Sequence, residues 1–158
     1  GQRLKDSPDF IVTSQASSSV MTPHKIQAKI DMYKPQLVVI DYLQIMSDNG
    51  LNSAMTPRMM NLSREIKLMA VANEIPIISI SAVTDRENEK RDGPPLLSQM
   101  AWSSAIEYDA NLAVAVHKHD ESDIIEIVAR KIRNGKLFAC YLNADIERGI
   151  WRETFPDT

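Results

Sequence analysis

Apolar and polar positions along this chain follow two rhythms. Residues 36–41, Gln-Leu-Val-Val-Ile-Asp, form a nearly continuous β-branched run, the pattern of a strand buried on both faces of a parallel sheet. Residues 76–81, with Ile77, Ile78 and Ile80, repeat it. Between them, residues 47–57 contain Asp48-Asn49-Gly50 and read as a loop. Residues 58–73 then place Met59, Leu62, Ile66, Met69 and Ala70 at helical spacing. A strand, a crossover of helix length and a second strand make a βαβ unit. Upstream, Phe10-Ile11-Val12 predicts a short strand. Thr22-Pro23 predicts a helix start, with threonine as cap and proline in the first position, running to about Tyr33. Downstream, residues 87–95 are charged and rich in breakers, hence a loop. Residues 112–116, 124–130 and 137–142 read as strands. The last two are joined through Arg133-Asn134-Gly135, and Asn-Gly between apolar runs is a strong hairpin signal. The predicted class is α/β, a mostly parallel sheet flanked by helices with an antiparallel C-terminal hairpin.

Composition narrows the function more than the fold. At 158 residues the chain fits one domain, which buries about 68–70% of the surface its unfolded form exposes. Its 44% hydrophobic and 25% charged residues are those of an ordinary globular protein. No apolar run approaches the ~20 residues that span a bilayer, and residues 1–10 carry no signal-peptide pattern. The single cysteine, Cys140, excludes an internal disulfide and a multi-cysteine zinc site, so a reducing cytoplasm is the expected compartment. It lies in the apolar run of residues 137–141, as expected for a core thiol. The net charge of −3 is not that of a DNA-coating module, although a ring-shaped motor with a few basic loops lining its channel remains compatible with it.

Candidate chemistry begins at Asp41. A hydrophobic strand ending in aspartate is the Walker B pattern. In an open parallel sheet ligands collect at the carboxyl ends of strands, where a carboxylate can associate with Mg²⁺. Many parallel strands also end in an aspartate that only caps a turn or helix, so the pattern alone leaves both readings open.

The residues that follow add a family. Asp41-Tyr42-Leu43-Gln44-Ile45-Met46 resembles the Walker B segment of DnaB-type replicative DNA helicases. Ser63-Arg64-Glu65-Ile66-Lys67 and residues 73–81 resemble that family's next helix and strand. Residues 105–111, with Glu107 and Asp109, resemble its acidic pair before the following strand, and Lys131-Ile132-Arg133-Asn134-Gly135 resembles its Lys-x-Arg-Asn-Gly hairpin. The resemblance covers about residues 8–155 and implies a RecA-like P-loop NTPase core. It further implies an ATP- and Mg²⁺-dependent helicase that moves 5′ to 3′ on single-stranded DNA as a homo-hexameric ring, with primase and a helicase loader as further partners. By the same resemblance Asp41 is the Mg²⁺-associated carboxylate. Lys131 and Arg133 reach the ATP of a neighbouring subunit, where cationic charge stabilises the γ-phosphate during transfer; their bland alternative is a solvated basic hairpin. Channel-facing DNA contacts fall on residues 47–58 and 86–105, with Arg58, Lys90 and Arg91 as phosphate-neutralising candidates and Trp102 as a stacking candidate. Each basic residue has a solvated surface charge as its alternative, and Trp102 a core or interface anchor.

Departures from the family are as informative. The phosphate-binding loop, Gly-x-x-x-x-Gly-Lys followed by Ser or Thr, is absent from this chain. Its five glycines are Gly1, Gly50, Gly93, Gly135 and Gly149. Only Gly135 precedes a lysine, and Leu137 follows Lys136. The family's catalytic glutamate is expected to be missing with that loop. Residues 1–158 therefore read as one partial motor domain, from one strand and helix before Walker B onward. A fragment is expected rather than a natural remnant, and it should not hydrolyse ATP alone. Without the missing strand and helix, the apolar faces of residues 37–40 are expected to lie bare unless a partner covers them. Ser81-Ala82 stands where the family places a γ-phosphate-sensing glutamine. Ala101-Trp102-Ser103-Ser104 stands where an Arg-Glu-Ser-Gly stretch contacts DNA, leaving Trp102 and Ser104 as candidates there. Asp109-Ala110-Asn111 replaces Asp-Ala-Asp, drift that suggests a divergent branch such as a phage member.

The alternative function is a non-catalytic RecA-like module acting as a loader or regulatory partner. Tyr42-Leu43-Gln44 together with Lys131-x-Arg133-Asn134-Gly135 argues against a recombinase or a clock-type ring ATPase. His117, His119 and Asp120 suggest a metal cluster. Strand alternation puts both histidines on one face, but no matching ligand group appears elsewhere, and surface or interface residues are expected. His24 reads as an exposed first-turn residue, and Met55, Met59, Met60 and Met69 as partly on a core or interface stripe.

Overall fold

Thr22 sits in extended backbone, and its hydroxyl accepts a hydrogen bond from the Lys25 amide at 3.4 Å. Pro23 takes the first helical position, where a missing N–H costs nothing, and helix α1 (Pro23–Tyr33) follows as the sequence predicts. Thr22→Ala is expected to destabilise the fold by about 1 kcal/mol, read by chemical unfolding. In this computed structural model the described residues are 10–13, 20–48, 54–83, 93–97, 103–119 and 122–155.

After α1 come strand β1 (Val38–Ile40), a 3₁₀ turn (Leu43–Ile45), helix α2 (Met55–Asn73) and strand β2 (Ile77–Ser79). The strands pair in parallel, Val38 opposite Ile77 and Ile40 opposite Ser79, which completes the βαβ unit. Helix α2 begins three residues ahead of the periodic stretch. Pro57 lies in its first turn, where N–H groups have no intrahelical acceptor, so the proline does not interrupt it. The predicted stripe is the buried one: Met59, Leu62, Ile66 and Met69, with Leu62 fully enclosed and Ala70 at its margin. These side chains pack with Ile26 and Ile30 of α1, with Ile40, and with Leu43 and Met46 beyond β1. Both helices end on residues in left-handed backbone, Lys34 (φ 47°) and Glu74 (φ 54°), whose N–H groups satisfy last-turn carbonyls.

Among the described residues only one face of the parallel pair is covered. Ile40 is buried, whereas Val39 (58% exposed) and Ile78 (53%) face away from the helices. The continuous apolar run predicted burial on both sides. Burial is a property of what packs on a strand, and among the described residues nothing packs on this face.

Helix α3 (Ser103–Asp109) leads to a four-stranded antiparallel sheet in sequential order: β3 (Leu112–Lys118), β4 (Ile124–Ile132), β5 (Ala139–Asp145) and β6 (Ile150–Thr154). Helix α3 packs on α2 and joins the two layers. The α/β class is as predicted, with the antiparallel part extended from a hairpin to four strands. Neither α3 nor β6 has a periodic signature in the sequence. β6 is an edge strand whose Ile150 and Trp151 are largely exposed, and backbone pairing to β5 defines it. Phe10-Ile11-Val12 forms no strand; its side chains are exposed, without a pairing partner among the described residues.

The Asn-Gly hairpin is looser than its dipeptide predicts. The first β4–β5 pair is Val128 with Ala139, and the end of β4 continues beyond it along β3 alone. A type I′ turn needs positive φ at both central residues, and among the described glycines only Gly149 has one. Gly135 is required for space instead: a Cβ there would lie 2.9 Å from Cγ2 of Ile132. No helix among the described residues is long and apolar enough to cross a membrane.

Candidate functional site

Asp41 stands at the carboxyl end of β1, where the strand gives way to the 3₁₀ turn. Its carboxylate is exposed and takes no hydrogen bond or ion pair from another described residue. Backbone bonds close the edge beside it: the Ile80 amide donates to Ile40 at 2.9 Å, and the Leu43 amide to Ile80 at 3.0 Å. Gln44 then stitches the two strand ends together. Its Nε2 donates to the Ser81 hydroxyl at 2.9 Å and to the Ala82 carbonyl at 3.3 Å, while its Oε1 accepts from the Ala82 amide at 3.2 Å. Among the described residues the edge thus presents a free carboxylate beside a hydrogen-bonded polar platform. Mg²⁺ bound with phosphates takes one or two carboxylates and keeps several waters, and Asp41 fits that part. The phosphates themselves have no cradle in this chain, because none of its glycines opens the required loop.

Arg58 comes to this edge from α2. Its Nη2 donates to the Gln44 carbonyl at 3.2 Å, and its Nε is enclosed, so much of the guanidinium faces inward. That arrangement fixes the turn after Asp41.

Lys131 and Arg133 lie together at the end of β4, beside the C-terminus of α3. Lys131 Nζ donates to the Glu107 carbonyl and, at 3.4 Å, to that of Tyr108. Arg133 Nη2 donates to the Tyr108 carbonyl at 2.9 Å, and the Arg133 amide to the Asn111 carbonyl at 2.9 Å. Two cations therefore sit on last-turn carbonyls, where a helix dipole favours positive charge. The ground beneath them is tied to α2. Ser63 Oγ donates to Asp109 at 2.9 Å, Arg64 lies 3.9 Å from the same carboxylate, and Lys67 Nζ donates to Asn111 Oδ1. Three segments singled out in the sequence for resemblance alone thus meet in space: residues 63–67, 105–111 and 131–135.

Other candidates are placed less fully. Lys90, Arg91 and Trp102 lie outside the described residues, as does Asp120. Ser104 falls in α3 by its backbone. His117 and His119 are side by side, ring centroids 5.0 Å apart at 75°, and His119 Nε2 is 3.3 Å from Glu126. No group of three metal-ligating side chains occurs among the described residues. Opposite them, Tyr141 donates to Glu126 at 3.3 Å. The negative charge of Glu126, reinforced by desolvation and that hydrogen bond, pushes the phenol above its ordinary value. Sequence reasoning gave no role to Gln44, Arg130, Asp109 or Lys67. Periodicity carries no signal for them, because each acts on a segment distant in the chain.

The family model of the DnaB-like helicase C terminal domain matches residues 2–148, nearly the whole chain. The chain belongs to that family. Among curated DnaB relatives, the replicative DNA helicase DnaB of Buchnera aphidicola subsp. Schizaphis graminum is 28% identical over 132 residues, covering 76% of this chain and 28% of the relative. The chain thus spans less than a third of that protein's length. Two solved structures share the fold. One, an ATPase domain, superposes with a TM-score of 0.76 at 24% identity, covering 83% of this chain and 51% of that one. The other, a DnaB-like replicative helicase solved in a study of its interactions with primase, superposes with a TM-score of 0.77 at 23% identity, covering 85% and 35%. The DnaB-like chain accordingly has the RecA-like α/β fold that the family resemblance implied.

Proposed function

We propose that this DnaB-like chain is the Walker B half of a replicative helicase motor, which as a hexameric ring couples ATP hydrolysis to 5′-to-3′ movement on single-stranded DNA. The observation that carries the proposal is the Asp41 carboxylate, unpartnered among the described residues, at the carboxyl end of a parallel strand, in a chain matched by the family almost end to end. Asp41 would associate with Mg²⁺. Lys131 and Arg133 would exchange the α3 carbonyls for phosphate oxygens of a neighbour's ATP, and such charge-assisted bonds are the stronger ones. Arg's planar fork suits it to contact two phosphate oxygens at once. Lys90, Arg91, Trp102 and Ser104 would contact DNA from the channel side. Arg58 joins them only if it releases the Gln44 carbonyl, so positioning the turn after Asp41 is its better-supported task. Primase, a helicase loader and the other ring subunits are the proposed protein partners, in the cytoplasm of a bacterial or phage-infected cell.

The missing phosphate cradle supports a second reading, a non-catalytic module that docks on an active helicase as a loader or regulator. The reading frame carrying this chain separates the two. A phosphate-binding loop upstream, together with ATP-dependent unwinding of a forked duplex bearing a 5′ tail, is the expected result. A frame without that loop, or a loop-bearing protein that hydrolyses no ATP on single-stranded DNA, would remove the helicase assignment.

A further inference from the structure

Asp109 is the last residue of α3, and nothing local recommends a carboxylate there. The C-terminal end of a helix carries the negative end of its dipole, which disfavours a further negative charge. The side chain is nevertheless mostly enclosed, at 16% exposure, and an enclosed carboxylate needs donors or cations to compensate it. That compensation comes from α2. Ser63 Oγ donates to one oxygen at 2.9 Å, and Arg64 Nη1 lies 3.9 Å from the other. Ile106, three residues earlier and so on the same side of α3, is buried with Met59, Leu62 and Ile66 of α2. Apolar burial is non-directional, whereas a hydrogen bond weakens steeply when its geometry is lost. Ile106 therefore holds α3 against α2, and Asp109 sets where the end of α3 comes to rest.

Arg133 stands on the residues either side of Asp109. Just before it, the Tyr108 carbonyl accepts from the Arg133 guanidinium, and the Glu107 carbonyl accepts from Lys131. Two residues after it, the Asn111 carbonyl accepts from the Arg133 amide at 2.9 Å. The guanidinium can exchange its carbonyl for a phosphate while the backbone stays bonded to Asn111. We infer that Asp109 is a positioning residue for Arg133, fixing to α2 the segment on which that arginine's backbone rests. The inference rests on the trans role proposed above for Arg133. Asp109 acts through the arginine and not on the nucleotide. Loosening its segment moves the base of the Arg133 side chain, and a donor aimed at charge developing on a phosphate loses its effect when it is misplaced.

The test measures steady-state ATP hydrolysis by the phosphate-loop-bearing hexamer. Asp109→Ala is expected to lower kcat roughly tenfold, short of the hundredfold that an ångström of misplacement can cost. KM for ATP is expected to stay near wild type, as for the loss of an interaction made only in the transition state. Asp109→Asn keeps an acceptor for Ser63 but loses the charge facing Arg64, so a smaller loss is expected; it also serves if Asp109→Ala fails to assemble. The deciding measurement is a double-mutant cycle with Arg133→Ala. Because Asp109 acts through Arg133, its replacement is expected to leave the residual turnover of the Arg133→Ala hexamer unchanged. A purely structural role makes the two losses multiply, and that result overturns the inference. So does wild-type turnover in the Asp109 variants. An Arg133→Ala hexamer with full turnover would instead overturn the trans role of Arg133 itself, and the two failures are thereby told apart.

Discussion

Replacing Arg133 with alanine is expected to lower ATP turnover of the loop-bearing hexamer by roughly a thousandfold, the lower end of what a trans arginine supplies to phosphoryl transfer. The base of the side chain is fixed, since the Arg133 amide is bound to Asn111 and Asn111 Oδ1 accepts from Lys67 of α2. The tip is exposed and bonded to a single carbonyl, that of Tyr108. A fixed base with an exchangeable tip suits a residue that must meet a phosphate arriving on another subunit. Arg133→Lys keeps the charge but loses the bidentate fork, so a partial loss is expected. Mixing subunits tests the trans geometry directly. In rings assembled from Arg133→Ala and Asp41→Asn subunits, some interfaces join an intact Asp41 to a neighbour's intact Arg133. Turnover should then exceed that of either parent ring. If Arg133 served its own subunit's nucleotide, every site in the mixed ring would carry one lesion and turnover would stay at the parental level.

Asp41→Asn removes one negative charge with almost no change of shape. A loss of turnover approaching a hundredfold is expected, partly recovered at raised Mg²⁺, as for groups that orient or hold a metal. Because the carboxylate is exposed and takes no bond from described residues, melting should barely change; surface substitutions of this kind stay within about 0.5 kcal/mol. This separates the two readings of a strand-terminal aspartate. A turn-capping Asp41 would show the reverse, a lowered melting temperature with turnover intact.

The features that fold locally were legible before the structure. Thr22-Pro23 marks the start of α1 because capping involves residues within one turn. Met59, Leu62, Ile66 and Met69 mark the core stripe of α2 because 3.6-residue periodicity places them on one face. The β1 and β2 runs and Asp41 at the strand end were legible for the same reason. Where local signals failed, a more distant part of the molecule decided. Asn134-Gly135 has the chemistry of a tight turn, but β4 continues along β3 past its last pair with β5. The β6 run is only five residues, and its pairing with β5 makes it a strand.

By itself, then, the sequence determined the family, the α/β class, the strand that ends at Asp41 and the absence of a phosphate cradle from these 158 residues, all matters of residue order and short-range spacing. Only the tertiary structure decided which face of the parallel pair is covered, and what the cations at and just beyond the end of β4 hold. Arg130 meets Pro95 across 35 positions of chain, and Arg133 meets Tyr108 across 25. A carbonyl becomes an acceptor for a distant cation only when packing brings the two segments together, and packing at that range leaves no periodic trace along the chain.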